Sequence, residues 1–128
     1  MEADKLERAV ALLRERLPGL MAVYHFGSTA DGTAWPSSDV DLAVMGEGLV
    51  DGPALWNLRP ELERVFGRDV DLLDLRRVSS VMQNQVLLGR RLWCRDPAAV
   101  DWQETAMLGM YRDLRELRVP ILAELLKP

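Results

Sequence analysis

From Asp4 to Leu17 the apolar residues Leu6, Val10, Leu13 and Leu17 recur at helical spacing between charged neighbours, which predicts an amphipathic helix. Pro18-Gly19 ends it. Leu20 to Phe26 is a compact apolar run that predicts a strand, closed by Gly27-Ser28. Thr29 to Ser38 carries Gly32 and Pro36 and reads as a loop or short helix. Asp39 to Met45 alternates, with Val40 and Leu42 on one face and Asp39, Asp41 and Ala43 on the other, so a second strand is expected. The glycine-rich link Gly46 to Pro53 leads to a helix from about Ala54 to Phe66, stopped by Gly67. A third strand is expected over Asp69 to Leu75, a helix over Ser79 to Leu88 closed by Gly89, and a short fourth strand over Leu92 to Arg95. From Pro97 onward the pattern is helical almost to the end, with an interruption at Pro120.

Short strands interleaved with covering helices predict a small mixed α/β (α+β) layer structure around one β-sheet. The 128 residues suit a single domain with one core. Neither an internal repeat nor a low-complexity segment is evident in the chain. With 48% apolar and 28% charged residues the composition is that of a soluble globular protein. The lone Cys94 allows no intrachain disulfide, and its place in Leu92-Trp93-Cys94 reads as a buried, inert thiol. The N-terminus lacks a signal-peptide layout, and no apolar run approaches the about 18 residues that span a bilayer. A cytoplasmic location is the expectation. The net charge of −4 argues against a module that grips long nucleic acid by its phosphates.

The candidate chemistry lies in Gly27-Ser28 and in Ser38-Asp39-Val40-Asp41-Leu42. Two positions apart on a strand, Asp39 and Asp41 leave the same face, about 6–7 Å apart along it. Two carboxylates so placed repel, and a hard divalent cation such as Mg²⁺ relieves the repulsion. Taken alone, Asp-x-Asp is as well explained by two solvent-facing acids. Gly27-Ser28 adds a tight turn at the end of a strand, where glycine lets a phosphate approach the backbone and the Ser28 hydroxyl can donate to it. A third acid would complete such a site. Asp71, alternating with Val70 and Leu72, projects from an otherwise buried segment; Asp74 faces the other way, and Asp69 stands at the strand's start.

These residues resemble the DNA polymerase β-like nucleotidyltransferase superfamily, whose motif is Gly-Ser, a spacer, Asp-x-Asp and a carboxylate on a later strand. With so short a chain, the resemblance is to the minimal nucleotidyltransferases, the MntA-type antitoxins of HEPN/MNT toxin–antitoxin systems, and it covers roughly residues 20 to 95. It implies a nucleotidyltransferase fold, with residues 1–128 a single domain carrying a C-terminal helical extension from about 97 to 128. It also implies transfer of AMP from ATP to a hydroxyl, the acceptor in the antitoxins being a tyrosine of the partner HEPN toxin. Asp39, Asp41 and Asp71 would then be catalytic and hold two Mg²⁺ ions. Gly27 and Ser28 would bind the nucleotide's phosphates. The chain departs from the pattern at Asp31, where such proteins often carry arginine. A small-molecule acceptor, or an antitoxin that acts by binding alone, are the alternative readings.

The remaining features read as structural. His25, the one histidine, is expected packed and hydrogen-bonded inside its strand. Trp35 serves equally as a lid or as a packing residue, and Arg76-Arg77 and Arg90-Arg91 read as solvated faces. Met107, Met110, Tyr111, Leu114 and Leu117 form a helical stripe expected in the core. The apolar tail at 121–126, or the helix beside it, is expected to dock a helical partner or a second copy.

Overall fold

The computed structural model describes residues 2–35 and 38–125, the side chains of 114–125 excepted. Nine elements follow in order: α1 (Ala3–Arg16), β1 (Leu20–Phe26), α2 (Ser28–Asp31), β2 (Val40–Gly46), α3 (Gly52–Phe66), β3 (Val70–Asp74), α4 (Ser80–Leu87), β4 (Arg90–Cys94) and α5 (Pro97–Leu125). The sheet order is β3-β2-β1-β4. β1 runs antiparallel to both β2 and β4, whereas β2 and β3 are parallel. The end of β1 and the beginnings of the other three strands therefore meet at one end of the sheet.

Strand alternation sends side chains into two cores. Val23, Val40, Leu42, Val44 and Val70 meet α1 and α3 through Ala9, Leu13, Leu58, Leu62 and Phe66. Tyr24, Phe26, Ala43 and Met45 meet α4 and α5 through Val86 and Val100. A sheet buried on both faces explains why β1 and β2 read as nearly continuous apolar runs. Polar ties hold the layers in register. Arg16 donates to both carboxylate oxygens of Glu61 at 2.8 and 2.9 Å, linking α1 to α3. The buried Tyr24 hydroxyl donates to Glu104 at 2.8 Å, and Arg91 donates to Glu104 and Asp101, which fixes α5 to the sheet. Burial and the Glu104 carboxylate both hold the Tyr24 hydroxyl protonated far above its ordinary range.

Three expectations need correction. α3 begins at Gly52, because the Asp51 side chain accepts from Ala54 N at 3.0 Å and Pro53 occupies the first turn, where its missing N–H costs nothing. β4 begins at Arg90, since an edge strand can keep two charged residues in solvent. α5 runs through Pro120 to Leu125, because an interior proline removes one hydrogen bond and those on either side carry the helix onward. Within the expected stripe, Met107 packs on the second core while Met110 is exposed. Leu114, Leu117 and the tail side chains at 121–126 lie outside the described residues, as do Pro36 and Ser37. Cys94 is half-buried against the second core. Among the described residues no helix is long and apolar enough to cross a membrane.

Candidate active site

The strand ends bring the expected residues together. β1 terminates at Phe26, paired with Asp41 of β2, and Asp41 in turn pairs with Asp71 of β3. Gly27 follows at once with φ +76° and ψ −164°, a conformation that L side chains rarely adopt. A Cβ on Gly27 would collide with the Asp41 carboxylate, lying 3.1 Å from its Cγ. Glycine is therefore required both for the turn and for the space that Asp41 occupies. Ser28 opens the short α2, half-buried, in a turn closed by Asp31 N to Gly27 O and Gly32 N to Ser28 O, both 3.1 Å.

Asp41 is half-buried and Asp71 is exposed, and their side chains are within hydrogen-bonding reach. Burial, followed by the charges of Asp71 and Asp39 and the Asp71 hydrogen bond, pushes Asp41 up to about 6. Asp39, exposed just ahead of β2, acts on Asp41 through its charge. Among the described residues no set of three acids closes to ligand distance. Asp41 and Asp71, paired across β2 and β3, with Asp39 just ahead of β2, nevertheless form an all-oxygen donor set, and the proton affinity of Asp41, raised by burial first and by the neighbouring acids next, is one that a hard divalent cation would oppose.

The competing acids have other places. Asp74 is buried and accepts from Val50 N at 2.8 Å, Arg76 N at 3.0 Å and Arg77 Nε at 3.2 Å, so it is a structural anchor. Asp69 precedes β3, exposed, and contributes its carbonyl to Val40 N. Asp31 is exposed, with Oδ1 accepting from Thr33 N at 3.0 Å and Thr33 Oγ1 at 2.6 Å. These bonds hold its carboxyl below the usual range. His25 is buried and meets Thr29 Oγ1 at 2.7 Å, as expected of a packed histidine. Trp35 is exposed. Arg76 and Arg77 depart from the solvated role expected of them. Arg76 Nε donates to Gly46 O at 2.8 Å and Arg77 reaches Val50 O at 2.9 Å, because both carbonyls need donors where β2 ends.

Gly89 was legible only as a helix stop. A Cβ there would fall 2.9 Å from Phe26 Cα and strike the His25 carbonyl, so the α4–β4 turn is pressed against the strand that delivers Gly27. Beside it lies a cavity of about 260 Å³ lined by Gly27, Ala30, Asp31, Gln85, Leu88, Gly89 and Arg90. Sequence spacing gave no sign of this cavity, since its two walls are more than fifty residues apart in the chain.

Residues 8–98 match the family model described as Polymerase beta, Nucleotidyltransferase. The protein adenylyltransferase MntA of Shewanella oneidensis is 40% identical over 87 residues, 67% of this chain and 63% of that protein. The chain thus matches a little under two-thirds of this relative's length. Among solved structures, a chain of a toxin–antitoxin crystallised with AMP-PNP superposes with a TM-score of 0.81 at 32% identity, covering 95% of this chain and 98% of its own. A tri-AMPylated Shewanella oneidensis HEPN toxin in complex with MNT antitoxin gives a TM-score of 0.79 at 29% identity, with 99% and 100% coverage.

Proposed function

Because the chain belongs to the Polymerase beta nucleotidyltransferase family, we propose that it transfers AMP from ATP to a hydroxyl, the acceptor being a tyrosine of a HEPN-domain toxin that it silences. The observation that carries this reading is the meeting of Gly27-Ser28 with Asp41 and Asp71 at one sheet end. The adenylyltransferase relative and the toxin–antitoxin structures with AMP-PNP and with an AMPylated toxin support the donor and the acceptor class. The whole of residues 1–128 would act as one nucleotidyltransferase domain, with the helical part from about 97 onward as its extension.

In this mechanism Asp39, Asp41 and Asp71 would hold two Mg²⁺ ions, which would supply positive charge against that of the triphosphate. The Gly27-Ser28 turn sets the phosphates against the backbone, with the Ser28 hydroxyl donating to them. The acceptor hydroxyl oxygen forms a bond to the α-phosphorus as the bond to pyrophosphate breaks. Asp71 takes the hydroxyl proton.

The test is transfer of label from α-³²P ATP, with Mg²⁺, to the protein encoded beside this one. Label on a tyrosine of that partner with wild type, and none with Asp39→Asn, is the expected result. Tight partner binding by both forms without any label would instead indicate inhibition by contact alone.

A further inference from the structure

Resting on that reading, we infer that Arg90 binds the terminal phosphates of the triphosphate and so holds the departing pyrophosphate. The strand order fixes a row across one end of the sheet: Asp71 on β3, Asp41 on β2, Gly27 at the end of β1, and Arg90 on β4, opposite His25. Adjacent strands lie about 4.8 Å apart, so the backbones at Asp41 and Arg90 are two spacings, about 10 Å, apart. Arg90 pairs with His25, and His25 with Leu42, so Arg90 starts from the sheet face opposite that of Asp41, with the Gly27 turn at the strand end between the two. An extended triphosphate would cover that span by crossing the sheet end over the Gly27 turn, which lines the same cavity as Arg90. With its α-phosphate at the carboxylates and its middle over Gly27, its far end enters the cavity of about 260 Å³.

Among the described residues Arg90 is the one cation on that cavity's wall. Neighbouring arginines are engaged: Arg91 with Asp101 and Glu104, Arg95 with Glu47, Arg76 with Gly46 O. Among the described residues the Arg90 side chain has no hydrogen-bond or ion-pair partner, so its fork is free for phosphate oxygens. Gly89 lets the turn before Arg90 lie close against β1, because a Cβ there would fall 2.9 Å from Phe26 Cα. Asp31 also lines the cavity, with one oxygen engaged by Thr33. It opposes the same phosphates, so Arg90 supplies the attraction that the cavity would otherwise lack.

The experiment is calorimetry of wild type with ATP and with inorganic tripolyphosphate in the presence of Mg²⁺, repeated for Arg90→Gln, Arg90→Lys, Asp31→Asn and Arg64→Gln. Arg64→Gln removes the same charge at a remote surface beside Gly67. Arg90→Gln is expected to weaken both ligands tenfold or more and Arg90→Lys less, while Arg64→Gln changes neither by more than twofold. Asp31→Asn is expected to tighten both severalfold. Equal affinities for Arg90→Gln and wild type, or equal losses for Arg90→Gln and Arg64→Gln, would overturn the assignment while leaving the enzyme reading intact. Should wild type bind neither ligand, both fall together. If Arg90→Gln does not fold, Arg90→Lys and Asp31→Asn decide the matter by the same directions.

Discussion

The Asp41 carboxylate occupies the space where a side chain on Gly27 would stand. The Gly27-Ser28 turn and the acidic strand ends are therefore one packing unit, and neither can be altered alone. Gly27→Ala should suffer twice. The turn's positive φ costs a non-glycine residue about 1–3 kcal/mol, and the new methyl displaces Asp41. We expect a lower melting temperature and AMP transfer reduced at least a hundredfold, with Asp41 mispositioned even where the protein remains folded. Transfer within threefold of wild type would contradict this coupling.

Asp41 is raised to about 6 from the ordinary 3.8, with burial as the first cause and the neighbouring acids next. The folded protein thus holds a proton there that the unfolded chain releases. Its favourable contribution is complete below about pH 3.8 and is lost as the pH rises through about 6. At pH 7.5 the metal-free protein carries the repulsion unrelieved. Mg²⁺ should therefore raise the melting temperature more at pH 7.5 than at pH 5, where protons compete for the same oxygens. Asp41→Asn should raise the metal-free melting temperature at pH 7.5, by about 4 °C for each kcal/mol regained, and abolish the Mg²⁺ response. A Mg²⁺ shift of equal size in the variant would place the ion elsewhere.

Local alternation made most of this site readable in advance. Val40 and Leu42 had to face one core, which forced Asp39 and Asp41 to the other side, and the same parity separated Asp71 from Asp74. What remained hidden depends on contacts distant in sequence. Gly89 looked like a helix stop because its neighbour Phe26 is far away in the chain. Arg76 looked solvated because the Gly46 carbonyl that it serves belongs to another strand. Arg90 reads as a solvated face outside the fourth strand because charge at an edge strand breaks the apolar pattern without breaking the ladder.

Asp74 provides a test of the division between structural and chemical acids. Its buried carboxylate satisfies Val50 N and Arg76 N and pairs with Arg77, pinning the link after β2 to the end of β3. Asp74→Ala should cost roughly 3 kcal/mol, because charged hydrogen bonds are lost and buried donors are left unpaired. Urea denaturation should show the loss, while the folded variant keeps its Kd for ATP within about threefold. An unchanged denaturation midpoint, or a selective loss of ATP binding, would reverse the assignment.

His25 carries the remaining pH dependence. Its ring is buried in β1 and bonded to Thr29 Oγ1 at 2.7 Å, joining the strand to the short helix that begins with Ser28. Burial is the main cause that holds its pKa below the ordinary 6.5, with the positive charge of Arg90 adding to it. The folded state keeps the ring neutral while the unfolded chain protonates it at 6.5. This contribution is therefore present above pH 6.5 and is lost as the pH falls below it, by up to about 1.4 kcal/mol per pH unit. Its direction is opposite to that of Asp41, so total stability between pH 5 and 6.5 conceals both effects. Comparing urea midpoints of wild type and His25→Asn at pH 7.5, 6.5 and 5.5 isolates the histidine. The variant should be less stable at pH 7.5, having lost a fitted ring, and the gap should narrow as the pH falls. A gap constant across the three pH values would mean that the buried ring is protonated as readily in the folded protein as in the unfolded chain.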